Sequence, residues 1–158
     1  MKKQSGFTLI ELMVVVVIMS ILMAIAVPQY VQYVMRSQMV EASSTLSNLR
    51  VQLEQFYQDN RTYDNTAAGV LAVATPINTC GVNQPVANTI KYFAYTCALT
   101  NAGQGYTLTA TGVATEKTNG FTFTLNEQNL RRTTVAPASW TSAAPANCWL
   151  MSQGATGC

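Results

Sequence analysis

Glu11 is a carboxylate set at the edge of an apolar run. In the stretch GFTLIELMVVVVIMSILMAIAVP, residues 6–28, every position from Leu12 to Val27 except Ser20 is apolar. A charged side chain deep in a bilayer costs about 2.5–3.5 kcal/mol even on lenient insertion scales. The chemistry Glu11 offers is therefore ionic. A cation brought to it in an apolar setting would be held firmly, because water does not compete for either partner. Elsewhere the chain is poor in reactive groups. It has no histidine, which removes the commonest general base and the commonest metal ligand together. No close carboxylate pair and no glycine-rich phosphate loop is present, so no enzyme activity, metal or cofactor is expected. Calcium needs carboxylate oxygens, and none occurs as a side chain between Gln128 and Cys158.

Two further sets of residues carry chemistry. Cys80, Cys97, Cys148 and Cys158 are even in number and none stands in a C-x-x-C pair, which favours disulfides in an oxidising compartment over a zinc site. Three pairings are open; the sequential one, Cys80 with Cys97 and Cys148 with Cys158, closes the shortest loops and is the expected one. Arg131 and Arg132, with Trp140 and Trp149 downstream, offer a nucleic-acid contact, arginine for phosphate and tryptophan for stacking. A solvated strand end beside core aromatics is the competing reading, and charge favours it. The chain carries 9 Lys+Arg against 7 Asp+Glu and only 10% charged residues. Two adjacent arginines neutralise few phosphates and give little affinity alone, unless folding brings Lys91 or Lys117 beside them. The methionines Met13, Met19 and Met23 read as membrane-face fillers.

These groups need elements to position them. As a helix, Phe7 to Val27 spans about 30 Å, one bilayer core. An ordinary signal peptide would also show the basic start at Lys2 and Lys3 and a small-x-small site at Ala24-Ile25-Ala26. Glu11 argues against that, as does the continuing helical period: Met35, Met39, Ala42, Leu46, Leu49, Leu53 and Phe56 recur at spacings of three and four. Gln38, Glu41, Ser44, Arg50, Glu54 and Gln58 fall off this stripe. Proline lacks an amide N–H and crowds the preceding turn, so Pro28 is expected to kink or locally melt the helix. Residues 60–90 show no sustained pattern and read as a connecting loop. Strands are predicted over 91–99, 105–113, 120–125 and 130–135, separated by turn signals at Asn101-Ala102-Gly103, Thr118-Asn119-Gly120 and 126–129. Tyr106, Leu108 and Ala110, with Phe121, Phe123 and Leu125, mark one buried face for the helical stripe to cover. The tail, 136–158, is rich in Ala, Pro and Ser and depends on its cysteine bridge.

Lys2-Lys3-Gln4-Ser5-Gly6 followed by Phe7-Thr8-Leu9-Ile10-Glu11-Leu12 resembles the leader and mature start of class III signal substrates, the type IV pilins and their relatives. The resemblance extends through Pro28 and Tyr30 to Arg36. Glu54-Gln55-Phe56-Tyr57-Gln58-Asp59-Asn60-Arg61-Thr62-Tyr63, Tyr106-Thr107-Leu108-Thr109-Ala110 and the segment from Cys148-Trp149 to Cys158 are similar to minor pilins of the PilE-like kind. The resemblance implies an α+β pilin fold, a long N-terminal helix on an antiparallel sheet of about four strands. It implies a leader, 1–6, cut after Gly6 by a prepilin peptidase that N-methylates Phe7; a membrane and filament-core helix, 7–28; and a periplasmic or extracellular head, 29–158. It also implies that Glu11 pairs with the N-terminal amine of a neighbouring subunit. The expected function is that of a structural, minor subunit of a type IV pilus, held in the inner membrane of a Gram-negative bacterium before assembly into an extracellular filament. Its expected partners are other pilin subunits and the peptidase. A DNA-binding minor pilin for natural transformation, with Arg131 and Arg132 as its contact, and a type II secretion pseudopilin are the alternatives.

Overall fold

A computed structural model describes residues 7–65, 80–82, 91–141, 144–155 and 157. The first element, α1, runs from Leu9 to Asn60 without interruption. Its start is capped by Thr8, whose hydroxyl oxygen accepts the Glu11 N–H at 3.3 Å, meeting one of the donors a helix start leaves unpaired. The expected melting at Pro28 does not occur. Helical backbone continues through it, although proline has no N–H to offer the carbonyl one turn earlier.

The chain divides into two compact units, Met1–Val34 and Met35–Cys158. In the first, the described side chains from Phe7 to Tyr30 are exposed, and the helix is long and apolar enough to cross a membrane.

The second unit holds the core. Met39, Ala42, Leu46, Leu49 and Leu53 are buried as the period predicts, with Met35 half-buried at the stripe's start. Gln38, expected on the polar face, is buried. It stands one turn before Ala42, on the border of the apolar stripe, and side chains four apart share a face.

Four strands form one antiparallel sheet in the order β1-β2-β3-β4: β1 Phe93–Thr100, β2 Gly105–Gly112, β3 Thr122–Asn126 and β4 Arg131–Val135. The predicted strands shift by one or two residues at their ends. β1 reaches Thr100 because the Asn101–Gly103 turn closes directly on the Thr100↔Gly105 pair. That turn uses positive φ at Asn101, Ala102 and Gly103. Of the loop read over 60–90, residues 66–79 and 83–90 lie outside the described residues; the described part makes one bridge, Asp64↔Cys80.

Side chains alternate across a strand, and the register turns that alternation into rows. Tyr95, Ala110 and Phe123 form one buried row, and Cys97, Leu108 and Leu125 another. Phe93, Phe121 and Phe123 meet at ring centroid distances of 5.7 and 6.3 Å, and Trp140 meets Phe121 edge-on at 5.4 Å. The tail therefore supplies core as well as a bridge. Gly112 permits the β2–β3 connection to fold back: a Cβ there would lie 1.7 Å from the Thr118 carbonyl oxygen.

Candidate functional site

Glu11 lies in the first turn of α1, where the partial positive charge of a helix start favours a carboxylate. It is exposed, and so are Phe7 and the apolar side chains around it. Among the described residues no ion pair holds it. A single chain thus presents an unsatisfied carboxylate on an apolar helix, a form suited to a cation supplied from outside. Gly6 lies outside the described residues.

The two arginines diverge. Arg131 pairs with Leu125 and continues the row of Cys97, Leu108 and Leu125, on the inner face of the sheet. Arg132 pairs with Thr124 and shares the outer row with Thr109. Each consequently lines a different cavity. Arg131 borders a cleft of about 500 Å³ with Ser43, Ser44, Ser47, Trp149 and Met151. Arg132 borders a small hollow of about 140 Å³ with Thr107, Thr124, Asn126 and Leu130. The guanidinium of Arg131 sits over the Trp149 ring at 4.9 Å, while the Trp149 Nε1–H donates to the Thr124 carbonyl oxygen at 3.1 Å. The sequence-adjacent pair is therefore not one two-charge patch. Period-two alternation in a predicted strand was the signal that separates them. Trp140 is buried against Phe121 and is unavailable for base stacking.

The other candidate cations stand apart. Lys91 precedes β1 and covers the Tyr92 ring at 5.0 Å; Lys117 is exposed in the connection between β2 and β3. Both belong to the end of the sheet where Phe93 pairs with Gly112, whereas Arg131 lies at the Leu125 end of the β3–β4 ladder. Lys91 is held protonated to higher pH by Tyr92 first, with Glu116 and Glu41 adding to the effect.

The Cys80–Cys97 disulfide is present, with Cα atoms 6.2 Å apart, as the sequential pairing predicted. It ties the segment after α1 to β1, and a loop of this length gains about 3 kcal/mol from restricting the unfolded chain. Cys148 is disulfide-bonded too; Cys158, its expected partner, lies outside the described residues.

Sequence reasoning missed a carboxylate clamp at the end of α1. Glu54, read as part of the polar face, accepts the Tyr63 hydroxyl at 3.1 Å and the Tyr106 hydroxyl at 3.2 Å. Tyr57 stacks on Tyr63 at 4.6 Å, and its hydroxyl donates to Gln104 Oε1 at 3.0 Å. The clustering of Tyr57, Tyr63 and Tyr106 near Glu54 needs the fold. Burial first, and then the Glu54 charge, pushes the Tyr63 hydroxyl up to about 12 and raises Tyr106 by the same causes. Native tyrosines thus keep protons that an unfolded chain releases near pH 10. Stability is full below that pH and falls as pH rises towards 12. The expected result is an unfolding midpoint in urea that declines steeply from about pH 10. Tyr106→Phe should flatten this decline while lowering stability at pH 7. Parallel pH profiles for the two proteins would refute the clamp.

Sequence comparison places this chain among known proteins. The sequence signature described as "Prokaryotic N-terminal methylation motif" matches residues 1–27, and that described as "Type IV minor pilin ComP, DNA uptake sequence receptor" matches residues 28–120. "Fimbrial protein EcpC" of Eikenella corrodens is 36% identical over 122 residues, 72% of this chain and 77% of that protein. A "Probable minor fimbrial protein" of Dichelobacter nodosus is 47% identical over 62 residues, 39% of each chain. A type IV pilin structure from Shewanella oneidensis is 21% identical with a TM-score of 0.42, covering 70% of this chain and 91% of that one. The class is that of pilin subunits that carry an N-terminal methylation motif. The chain belongs to the type IV pilins, in the family whose signature carries the ComP description.

Proposed function

We propose that this pilin is a minor subunit that engages DNA at the pilus surface. The match of residues 28–120 to the DNA uptake sequence receptor family supports this reading, and it reverses the order that charge composition alone favours. In this reading the leader is removed after Gly6, Phe7 becomes an N-methylated amine, and Glu11 receives that amine from a neighbouring subunit. The protein waits in the inner membrane and then joins the extracellular filament.

The dispersed cations shape the expected binding. Arg132 on the outer face and Lys117 in the β2–β3 connection are exposed, so each offers one phosphate contact. Binding made of few contacts is weak and salt-dependent, with a slope of about −0.9 per contact. A gel-shift titration of the full chain in detergent should show retention of duplex DNA at low salt. Arg132→Ala should weaken it on all sequences alike and reduce the salt slope by about one. No retention at low salt overturns the DNA reading and leaves a purely structural subunit. Submicromolar binding abolished only when Arg131→Ala joins Arg132→Ala would mean that the two arginines act as one contact after all.

A further inference from the structure

The cleft beside Arg131 has walls of unlike hydrogen-bonding character. On the α1 side, Ser43 donates to the Val40 carbonyl, Ser44 to the Glu41 carbonyl and Ser47 to the Ser43 carbonyl, at 3.0, 3.0 and 2.7 Å. A hydroxyl has one proton and two lone pairs. These three spend their protons on their own helix and present acceptor oxygens. Opposite them stands Arg131, which only donates. Its guanidinium carbon lies over the Trp149 ring, 4.9 Å from the centroid, and the Trp149 ring is in turn held by its bond to the Thr124 carbonyl oxygen. A guanidinium held over an aromatic face has five N–H donors in a planar fork that matches a carboxylate.

A ligand that fits must therefore supply donors to one wall and an anion to the other. A phosphodiester has acceptors only and leaves the serine wall unmatched. A cleft of about 500 Å³ lies within the range of small-molecule sites and does not admit a duplex. We propose that this cleft binds a saccharide of one or two rings bearing a carboxylate, with sugar hydroxyls donating to Ser43, Ser44 and Ser47 and the carboxylate on Arg131. The site is separate from the outer-face DNA contact at Arg132 and does not depend on it.

The test is a ligand-observed NMR titration of the full chain in detergent micelles with methyl glucuronide. Methyl glucoside, inorganic phosphate and a short amide peptide with a free carboxylate serve as comparisons. The expected result is saturable glucuronide binding, with glucoside and phosphate at least about tenfold weaker, the worth of one good charge-assisted contact. Arg131→Gln should lose about tenfold for glucuronide only. Ser44→Ala, at an exposed position, should weaken both sugars, and Arg132→Gln neither. Glucuronide no tighter than glucoside, phosphate binding at least as well, a tighter peptide, or indifference to Arg131→Gln would each overturn the assignment. Loss of DNA retention in the gel shift without change in this titration would separate the two readings.

Discussion

Glu11→Val inserts into the membrane at the wild-type level and is depleted from filaments by more than about a hundredfold when it competes with wild-type chain. Insertion is spared because the change removes a charge from a segment whose neighbours, Leu9 to Val27, are exposed and almost wholly apolar. Assembly suffers because the proposed partner, the Phe7 amine of the adjoining subunit, is left as an unpaired cation in an apolar filament core. Breaking a buried pair in this way costs about 3–5 kcal/mol, more than the pair contributes when intact, since the surviving charge keeps its desolvation penalty. Glu11→Gln should fall between the two, because an amide still accepts a hydrogen bond from the amine without neutralising it. Quantitative mass spectrometry of membrane and filament fractions from cells expressing both chains makes the measurement. Equal incorporation of Glu11→Val would remove the register function assigned to this carboxylate.

Phe123→Ala destabilises the head by about 3–5 kcal/mol, the usual range for emptying a buried aromatic position. Phe123 is 1% exposed, lies in the row of Tyr95 and Ala110, and touches the rings of Phe93 and Phe121. The backbone around it is fixed by ladders on both sides of β3, so the cavity has little room to collapse. A loss of that size is a large share of the roughly 5–15 kcal/mol that stabilises an ordinary domain. Trp140, packed edge-on against Phe121, gives a fluorescence signal for urea unfolding. Thr124→Ala, one residue along on the outer face, is the control and should cost under about 1 kcal/mol. Similar losses at the two positions would contradict the burial described for the sheet.

Much of this architecture was legible in the sequence. Alternation at Tyr106, Leu108 and Ala110 and the three-four period from Met35 to Leu53 both report burial directly, and both faces are buried as expected. The Cys80–Cys97 bridge followed from loop length. Gln38 was misread because a helical stripe has borders, and here the fold covers the amide as well as the stem, leaving Oε1 buried without a hydrogen-bond partner among the described residues. The Glu54 clamp was not legible, since Tyr106 joins it from far along the chain. Alternation along β4 puts Arg131 and Arg132 on opposite faces of the sheet, both exposed, and register sets the row each one joins, so that one weak basic patch becomes two unlike surfaces. Charge counting ranked DNA binding low; the sequence shows how many cations exist and not which surfaces they occupy, and the fold leaves them dispersed.

The central claim is that this chain is a filament subunit built on its N-terminal helix, and sheared filaments test it most directly. Intact-mass and peptide analysis of washed filaments should find this chain beginning at an N-methylated Phe7, in numbers well below those of the most abundant pilin. Its absence from filaments, or an N-terminus at Val27 left by an ordinary signal peptidase, would contradict the account.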